Sequence, residues 1–286
     1  MPWFHYPSDK MRRNSEYPAI LREYCKFCKV QNVALKSNVV DLRSYSWVYP
    51  TFLVPLWNLF MKNEIEYKPP RNHSVDSYID TVFSTGNSKV STYVPLQCLP
   101  KNHNDLGDVI SNLQAWCNNG ENYGGPNAFN FVIDELIDNI YEHSYFNNAC
   151  VMAQSYHMKG FSEISIFDDG ISIPGSFKYH GIECRSDAYA ISRAINGIST
   201  KSQTRGYGLN CSTDMYVDGV GAEVLIVSGN GIFYKKKGEL VKLYNTEIMN
   251  TSNVISGEEY ISPLDGTLFS VRLPYPAPKI EAHLYY

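Results

Sequence analysis

The chain lacks a surplus of positive charge. Its 25 Lys and Arg stand against 29 Asp and Glu, a formal net charge of −4, which removes the electrostatic case for a nucleic-acid partner. The one basic run, Lys235-Lys236-Lys237, reads as a solvated hairpin tip. Long apolar runs are missing too. The longest, Trp47 to Phe60, is too short for a bilayer and contains Pro50 and Pro55, so no membrane crossing is expected. Met1-Pro2-Trp3-Phe4-His5 has no charged region leading into an apolar one, so no signal peptide is expected. The seven cysteines form no even framework, and Cys25-x-x-Cys28 lacks a second pair or spaced histidines. Disulfide scaffolds and zinc sites are therefore disfavoured, and a reducing, cytoplasmic location is expected. Internal repeats and low-complexity segments are absent from the sequence.

What is present is enough apolar material for a core. With 286 residues and 44% hydrophobic content, the chain has room for two domains. Residues 1–100 read as a small α/β domain. Asn32 to Leu35 and Val39 to Leu42 have strand character, and Thr51 to Met61 and Ser77 to Phe83 have helical character. Residues 101–286 read as a second domain. Pro100 to Asp105 and Asn118 to Pro126 are linker-like, flanking a helix from about Leu106 to Trp116.

The densest chemistry lies in Glu135-Leu136-Ile137-Asp138-Asn139-Ile140-Tyr141-Glu142-His143. At about 100° per residue, Glu135, Asp138, Asn139, Glu142 and His143 fall within an arc of roughly 140°, and Ile133, Leu136, Ile137 and Ile140 form a separate apolar stripe. Next comes Ile164-Ser165-Ile166-Phe167-Asp168-Asp169-Gly170-Ile171-Ser172-Ile173-Pro174, an alternating strand that delivers a carboxylate into a tight turn. A helical pattern over Cys184 to Asn196 leads into Gly197 to Arg205, which has the composition of a mobile loop. Arg205-Gly206-Tyr207-Gly208-Leu209-Asn210 then precedes a helix through about Val217, a setting in which free N–H groups and the helix dipole favour an anion. Asp265-Gly266-Thr267 opens a terminal strand.

In this order and spacing the four segments resemble the GHKL ATPases, the superfamily of gyrase-type ATPase domains, Hsp90, MutL and histidine kinases. The resemblance covers about residues 105 to 275. Glu135-x-x-Asp138-Asn139 looks like the N box, Asp168-x-Gly170-x-Ser172-Ile173-Pro174 the first glycine box, Gly206-x-Gly208-Leu209 the second and Gly266-Thr267 the last. Two positions depart from the pattern: Ser172 and Asn210 stand where many members have glycine. The implied fold is a Bergerat-type α+β two-layer sandwich, an α/β architecture preceded here by the smaller domain.

The implied ligands are ATP and Mg²⁺. By resemblance, Asn139 holds the metal, Asp168 accepts from the adenine amino group with support from Thr267, and Gly170 and Ile173 shape the base pocket. Gly206, Tyr207, Gly208 and Leu209 wrap the phosphates, and Lys201 and Arg205 are the cations of the implied lid. Hard Mg²⁺ takes few protein oxygens, so one Asn amide with phosphates and water suffices. Glu135, one turn before Asn139, is the candidate general base, or else a carboxylate that acts only through its field. His143 either touches a phosphate or braces the helix.

The spacing Glu135-x-x-x-Asn139-x-x-x-His143 is most similar to anti-sigma-factor serine kinases, because no histidine-bearing hairpin precedes the box and no transducer domain follows it. Val40 to Thr51 resembles in part the STAS domains of anti-sigma antagonists, with Tyr49 and Pro50 in place of the acid and serine and Thr51 as the remaining hydroxyl. The expectation is an ATP-binding regulatory protein that hydrolyses ATP or phosphorylates a protein, with a protein partner and a possible homodimer. A nucleotide-gated interaction module without turnover and a degenerate scaffold are the alternatives.

Overall fold

A computed structural model describes residues 17–84, 92–197, 208–250 and 261–280. Its frame is one antiparallel sheet of seven strands in the order β3-β4-β5-β9-β6-β7-β8. The strands are β3 (Tyr93–Cys98), β4 (Ala149–Tyr156), β5 (Phe161–Asp168), β6 (Glu223–Gly229), β7 (Gly231–Lys236), β8 (Lys242–Asn245) and β9 (Leu264–Pro274). The last strand in sequence is thus inserted at the centre, between β5 and β6, and pairs Asp168 with Thr267.

Side chains alternate across this sheet, and both faces are buried. On β4, Val151 and Ala153 point to one core and Cys150 and Met152 to the other; on β6, Val224 and Ile226 oppose Leu225 and Val227. The period of two therefore leaves no solvated face, unlike many antiparallel sheets. The first core is covered by α4 (Gly107–Trp116), α5 (Pro126–His143), α7 (Asp187–Ile195) and the turns from α8 (Gly208–Asp214) into Met215–Val220. Along α5, Phe129, Val132, Ile133, Leu136, Ile137 and Ile140 are buried at helical spacing, and each such side chain contributes about 1.5–3 kcal/mol.

The second core is covered by the N-terminal segment. Here α1 (Ala19–Ser37), α2 (Pro50–Lys62) and α3 (His73–Phe83) surround a short parallel pair, β1 (Val39–Asp41) and β2 (Glu66–Lys68). Leu21, Tyr24, Phe52, Leu53 and Leu56 meet Met152, Phe167, Leu225 and Leu268 in a single cluster. The protein is thus a mixed α+β fold with helices on both sides of the sheet. The division at residue 100 does not match the packing: β3 belongs to the large sheet, and the first hundred residues share a core with it.

One expected strand is helical. Asn32 to Leu35 lies inside α1, where Phe27, Val30 and Ala34 are buried while Val33 and Leu35 are 51% and 60% exposed. The alternation of Val33 and Leu35 suggested a strand, but the side chains that reach the core follow the helical period. The helix stops at Asn38, whose φ of 57° is left-handed and whose N–H bonds the Ala34 carbonyl, a C-terminal arrangement that asparagine tolerates.

A buried polar link fastens this layer to the sheet. Glu163 of β5, fully buried, accepts from the Thr51 N–H at 2.8 Å and the Thr51 hydroxyl at 2.7 Å, and pairs with Arg272 Nε at 2.6 Å. The Arg272 guanidinium lies over the rings of Tyr49 and Phe161. Thr51, the hydroxyl at the STAS-like position, is therefore fully buried and engaged. Among the described residues no helix is long and apolar enough to cross a membrane.

Candidate functional site

The site lies where the end of α5 meets the turn after β5. The two are stitched by backbone: Ile171 N–H donates to the Ser144 carbonyl at 2.7 Å, and Asp169 N–H to the Asn148 carbonyl at 3.0 Å. The approach is too close for a side chain at residue 170, because a Cβ there would stand 2.0 Å from the Ser144 oxygen. Gly266 is required for the same reason, with φ at 102° and a Cβ that would meet the Asp168 carbonyl at 1.9 Å. Two glycines of the expected boxes thus permit the turn and its neighbouring strand to touch. Ser172 has φ at 67°. It adopts the left-handed geometry a glycine takes without strain, and its Oγ accepts from Gly175 N–H at 3.2 Å.

Asp168 is 3% exposed at the end of β5. Its Oδ1 accepts from Gly170 N–H at 2.9 Å, and Ser144 lies beside it with its hydroxyl buried and lacking a hydrogen-bond partner of good geometry among the described residues. Burial, only partly offset by the Gly170 N–H and the adjacent Ser144 hydroxyl, pushes the carboxyl from 3.8 up to about 7, and the neighbouring Asp169 adds to the rise. Asp169 behaves oppositely. Burial alone would raise it, but N–H groups of Asn148 and Asn147, the Asn148 side-chain amide and Lys62 together hold it below its ordinary value. Adjacent carboxyls are thereby divided into a saturated structural anion and a buried acid short of donors.

Across the ladder, Thr267 Oγ1 lies 2.9 Å from Ser228 Oγ, which also donates to the Gly266 carbonyl at 3.1 Å and accepts from Ile173 N–H at 2.8 Å. Ser228 therefore joins β6, β9 and the start of α6 (Ser172–Tyr179). Sequence reading missed it, since a serine in an apolar strand carries no local signal. Ser144, Asn147, Asn148 and Lys62 were missed for the same reason.

On α5, Glu135, Asn139 and His143 are half-buried, while Asp138 and Glu142 are exposed. The polar arc thus separates into a sheltered row and a solvated one. Asn139 donates its side-chain amide to the Glu135 carbonyl at 2.6 Å, a bond that uses none of the lone pairs on the side-chain oxygen. His103 braces the outer row, with Nε2 2.9 Å from Asp138 Oδ1. His143 lies 3.8 Å from Glu142 Oε2. Leu209, in the first turn of α8, packs against the α5 core. Gly208 opens that helix, whereas Lys201, Arg205, Gly206 and Tyr207 lie outside the described residues.

The arrangement suits a ligand that supplies hydrogen-bond donors to Asp168 and to the Ser144 hydroxyl. A ring amino group does so, and the half-buried Asn139 oxygen offers a hard donor atom suited to Mg²⁺ beside phosphate and water. Among the described residues no three His, Cys, Asp or Glu side chains gather as a metal cage, which a magnesium ion held mainly by phosphate does not need. The chain matches no protein-family model, and the search of curated proteins found no significant match.

Proposed function

We propose that the protein binds Mg-ATP between α5 and the Asp168 turn and acts as a nucleotide-dependent regulatory ATPase or protein kinase of the GHKL type. The observation that carries this reading is the buried, donor-poor carboxyl of Asp168, set in a turn whose close contacts demand Gly170 and Gly266, beside a helix bearing Glu135 and Asn139 in its sheltered row. These are the positions to which the GHKL resemblance assigns nucleotide and metal contacts.

In this reading Asp168 accepts from the adenine amino group and selects adenine over guanine, which offers a carbonyl at that edge. Thr267, held by Ser228, supports the same edge. Asn139 offers its oxygen to the metal, and bound Mg²⁺ supplies charge neutralisation of the phosphates. Glu135 orients a water or a partner's hydroxyl and takes its proton. Lys201, Arg205 and the Gly206 to Leu209 segment supply the cations and backbone N–H groups that close over the phosphates. The location is cytoplasmic and the partner a protein, whose side chain is the acceptor if the reaction is transfer.

Calorimetry with ATP, ADP and GTP, with and without Mg²⁺, tests the binding. Saturable adenine nucleotide binding that is strengthened by Mg²⁺ is expected, and no binding overturns the proposal. Phosphate release by wild type and Glu135→Ala tests the chemistry. Equal turnover removes Glu135 as base, and zero turnover with intact binding leaves a nucleotide-gated interaction module.

A further inference from the structure

At one edge of the large sheet two cysteines meet, in an arrangement that owes nothing to the nucleotide reading. In the antiparallel register of β3 and β4, Cys98 stands directly opposite Cys150. The Leu99 N–H donates to the Ala149 carbonyl at 2.8 Å. The residue after one cysteine thus bonds the residue before the other, which makes Cys98 and Cys150 a non-hydrogen-bonded pair. Opposed residues of such a pair project to the same face, with Cα atoms about 4.5 Å apart. A disulfide spans Cα separations of about 4.4–6.8 Å, so the ladder itself holds the two side chains within bonding reach. Their neighbours fix the face. Gln97 and Val151, one residue along on each strand, are paired on the other side, where Val151 enters the first core and Gln97 accepts from Asn112 of α4 at 3.4 Å.

The two thiols differ in access. Cys150 is fully buried in the core shared with the N-terminal layer, whereas Cys98 is exposed. Burial raises both thiols above their ordinary value, and at Cys150 the nearby Cys98, Asp168 and Asp169 raise it further. Both therefore stand protonated at neutral pH, and a reagent from solvent meets Cys98 first. An exposed thiol that opens an exchange beside a buried thiol that completes it is the arrangement a reversible bridge requires. Among the described residues no other two cysteines face each other across a strand ladder, since Cys25, Cys28, Cys117 and Cys184 lie outside the strands.

We propose that Cys98 and Cys150 are a redox-active pair that closes reversibly into a cross-strand disulfide by exchange with a small-molecule disulfide. The Cys98 thiolate attacks one sulfur of the small disulfide, whose S–S bond breaks and releases one thiolate, leaving a mixed disulfide on Cys98. Cys150 then gives up its proton, and its sulfur attacks the Cys98 sulfur and expels the second small thiolate. The two cysteines are oxidised by two electrons, the small disulfide is reduced to two thiols, and the protons of Cys98 and Cys150 end on those thiols. Excess small thiol drives the same steps backwards, so a reducing compartment keeps the pair open and an oxidising shift closes it. The closed bridge encloses residues 99–149, a ring that contains α4 and α5. Beside it the Tyr141 hydroxyl donates to the Pro100 carbonyl at 2.5 Å and Lys101 Nζ to the Phe146 carbonyl at 2.8 Å. The bridge thus adds a covalent tie to the hydrogen bonds that hold the end of α5 to this edge of the sheet.

The test is incubation of the full native chain with oxidised glutathione, followed by blocking of the remaining thiols, digestion without reductant and mass spectrometry. The expected product is a peptide pair linked through Cys98 and Cys150, with two thiols lost per chain and both recovered on adding dithiothreitol. Cys98→Ser, a change at an exposed position, should abolish that loss. Cys150→Ala should instead trap glutathione on Cys98 as a lasting mixed disulfide, because the thiol that would displace it is gone. Cys184→Ser should form the bridge like wild type. Circular dichroism shows whether each variant is folded, and Cys98→Ser decides the matter if Cys150→Ala is not. The proposal is overturned if wild-type Cys98 keeps its glutathione without passing the bond to Cys150, if the two link only after denaturation, if a different pair accounts for the lost thiols, or if dithiothreitol does not restore them. A failure here leaves the nucleotide proposal untouched, because neither cysteine belongs to that site.

Discussion

Lys62 Nζ stands 3.3 Å from Asp169 Oδ2, so the helix covering the far face of the sheet holds the acid next to Asp168. The Asp169 side chain is fully buried while Lys62 is 38% exposed, and solvent screening limits what the pair contributes. Lys62→Met is expected to destabilise the protein by about 1 kcal/mol at neutral pH. The pH dependence has a defined sign. A carboxyl held below its ordinary value contributes stability above that value, and the contribution is lost as pH falls through the depressed one. Removing Lys62 raises the Asp169 carboxyl, so the acid-unfolding midpoint should move up, as read by circular dichroism against pH. An unchanged midpoint would show that the Asn147 and Asn148 donors hold Asp169 alone.

Asp168 predicts the opposite slope. Its folded carboxyl is raised from 3.8 to about 7, so the folded state holds the proton more tightly than the unfolded chain between those values. The contribution of Asp168 to stability is therefore greatest below about pH 4, falls as pH rises to about 7, and is level above it, a loss on the order of 4 kcal/mol. Asp168→Asn should remove this slope and be more stable than wild type at pH 8, as measured by urea denaturation at pH 5 and pH 8. The same variant should bind ATP more weakly by about 1.5–3 kcal/mol at pH 8, because it loses a charge-assisted hydrogen bond. Equal ATP affinity for both proteins removes the adenine assignment even if the stability slope behaves as expected.

Gly266 carries the close approach of β9 to the Asp168 turn. A Cβ at this residue would lie 1.9 Å from the Asp168 carbonyl, and φ is 102°. Gly266→Ala must move one strand or the other, at an expected cost of about 3 kcal/mol or more. Ser172→Gly sits in the neighbouring left-handed position and should be within about 1 kcal/mol of wild type, because relief of strain is offset by greater freedom of the unfolded chain and loss of the Gly175 cap. Denaturant midpoints for the two variants check this contrast.

The periodic features were legible in the sequence. Helix α5 and the strand ending at Asp168 were expected because Leu136, Ile137 and Ile140 repeat at the helical period and Ile164 and Ile166 alternate. The two carboxyls of the turn were visible as residues, but not their division of labour. That depends on which groups arrive from elsewhere: Asn147, Asn148 and Lys62 at Asp169, and Ser144 at Asp168. Contacts of this range have no local signature. The covering of the far sheet face by residues of α1 to α3 was illegible for a related reason: β5 reads as a strand whichever partner buries each face. Ser228 joins the site only because β9 is inserted beside β6.

Glu163 gives the last test, since it joins the N-terminal layer to the sheet at a fully buried point. Two of its bonds go to Thr51 and one to Arg272, whose side chain is 8% exposed. Glu163→Ala leaves the Arg272 charge buried without this partner and the start of α2 without its acceptor, and it should cost about 3–5 kcal/mol. Glu163→Gln keeps an acceptor for Thr51 but loses the charge facing Arg272, so it should cost less. Thr51→Val removes one neutral donor and should cost about 1–2 kcal/mol. Phosphorylation of Thr51 would require α2 to lift from β5, so the folded protein should resist modification at Thr51 by serine/threonine kinases, as read by mass spectrometry, while Glu163→Ala should be modified more readily. Efficient modification of Thr51 in the native wild type would refute this account of the layer's attachment.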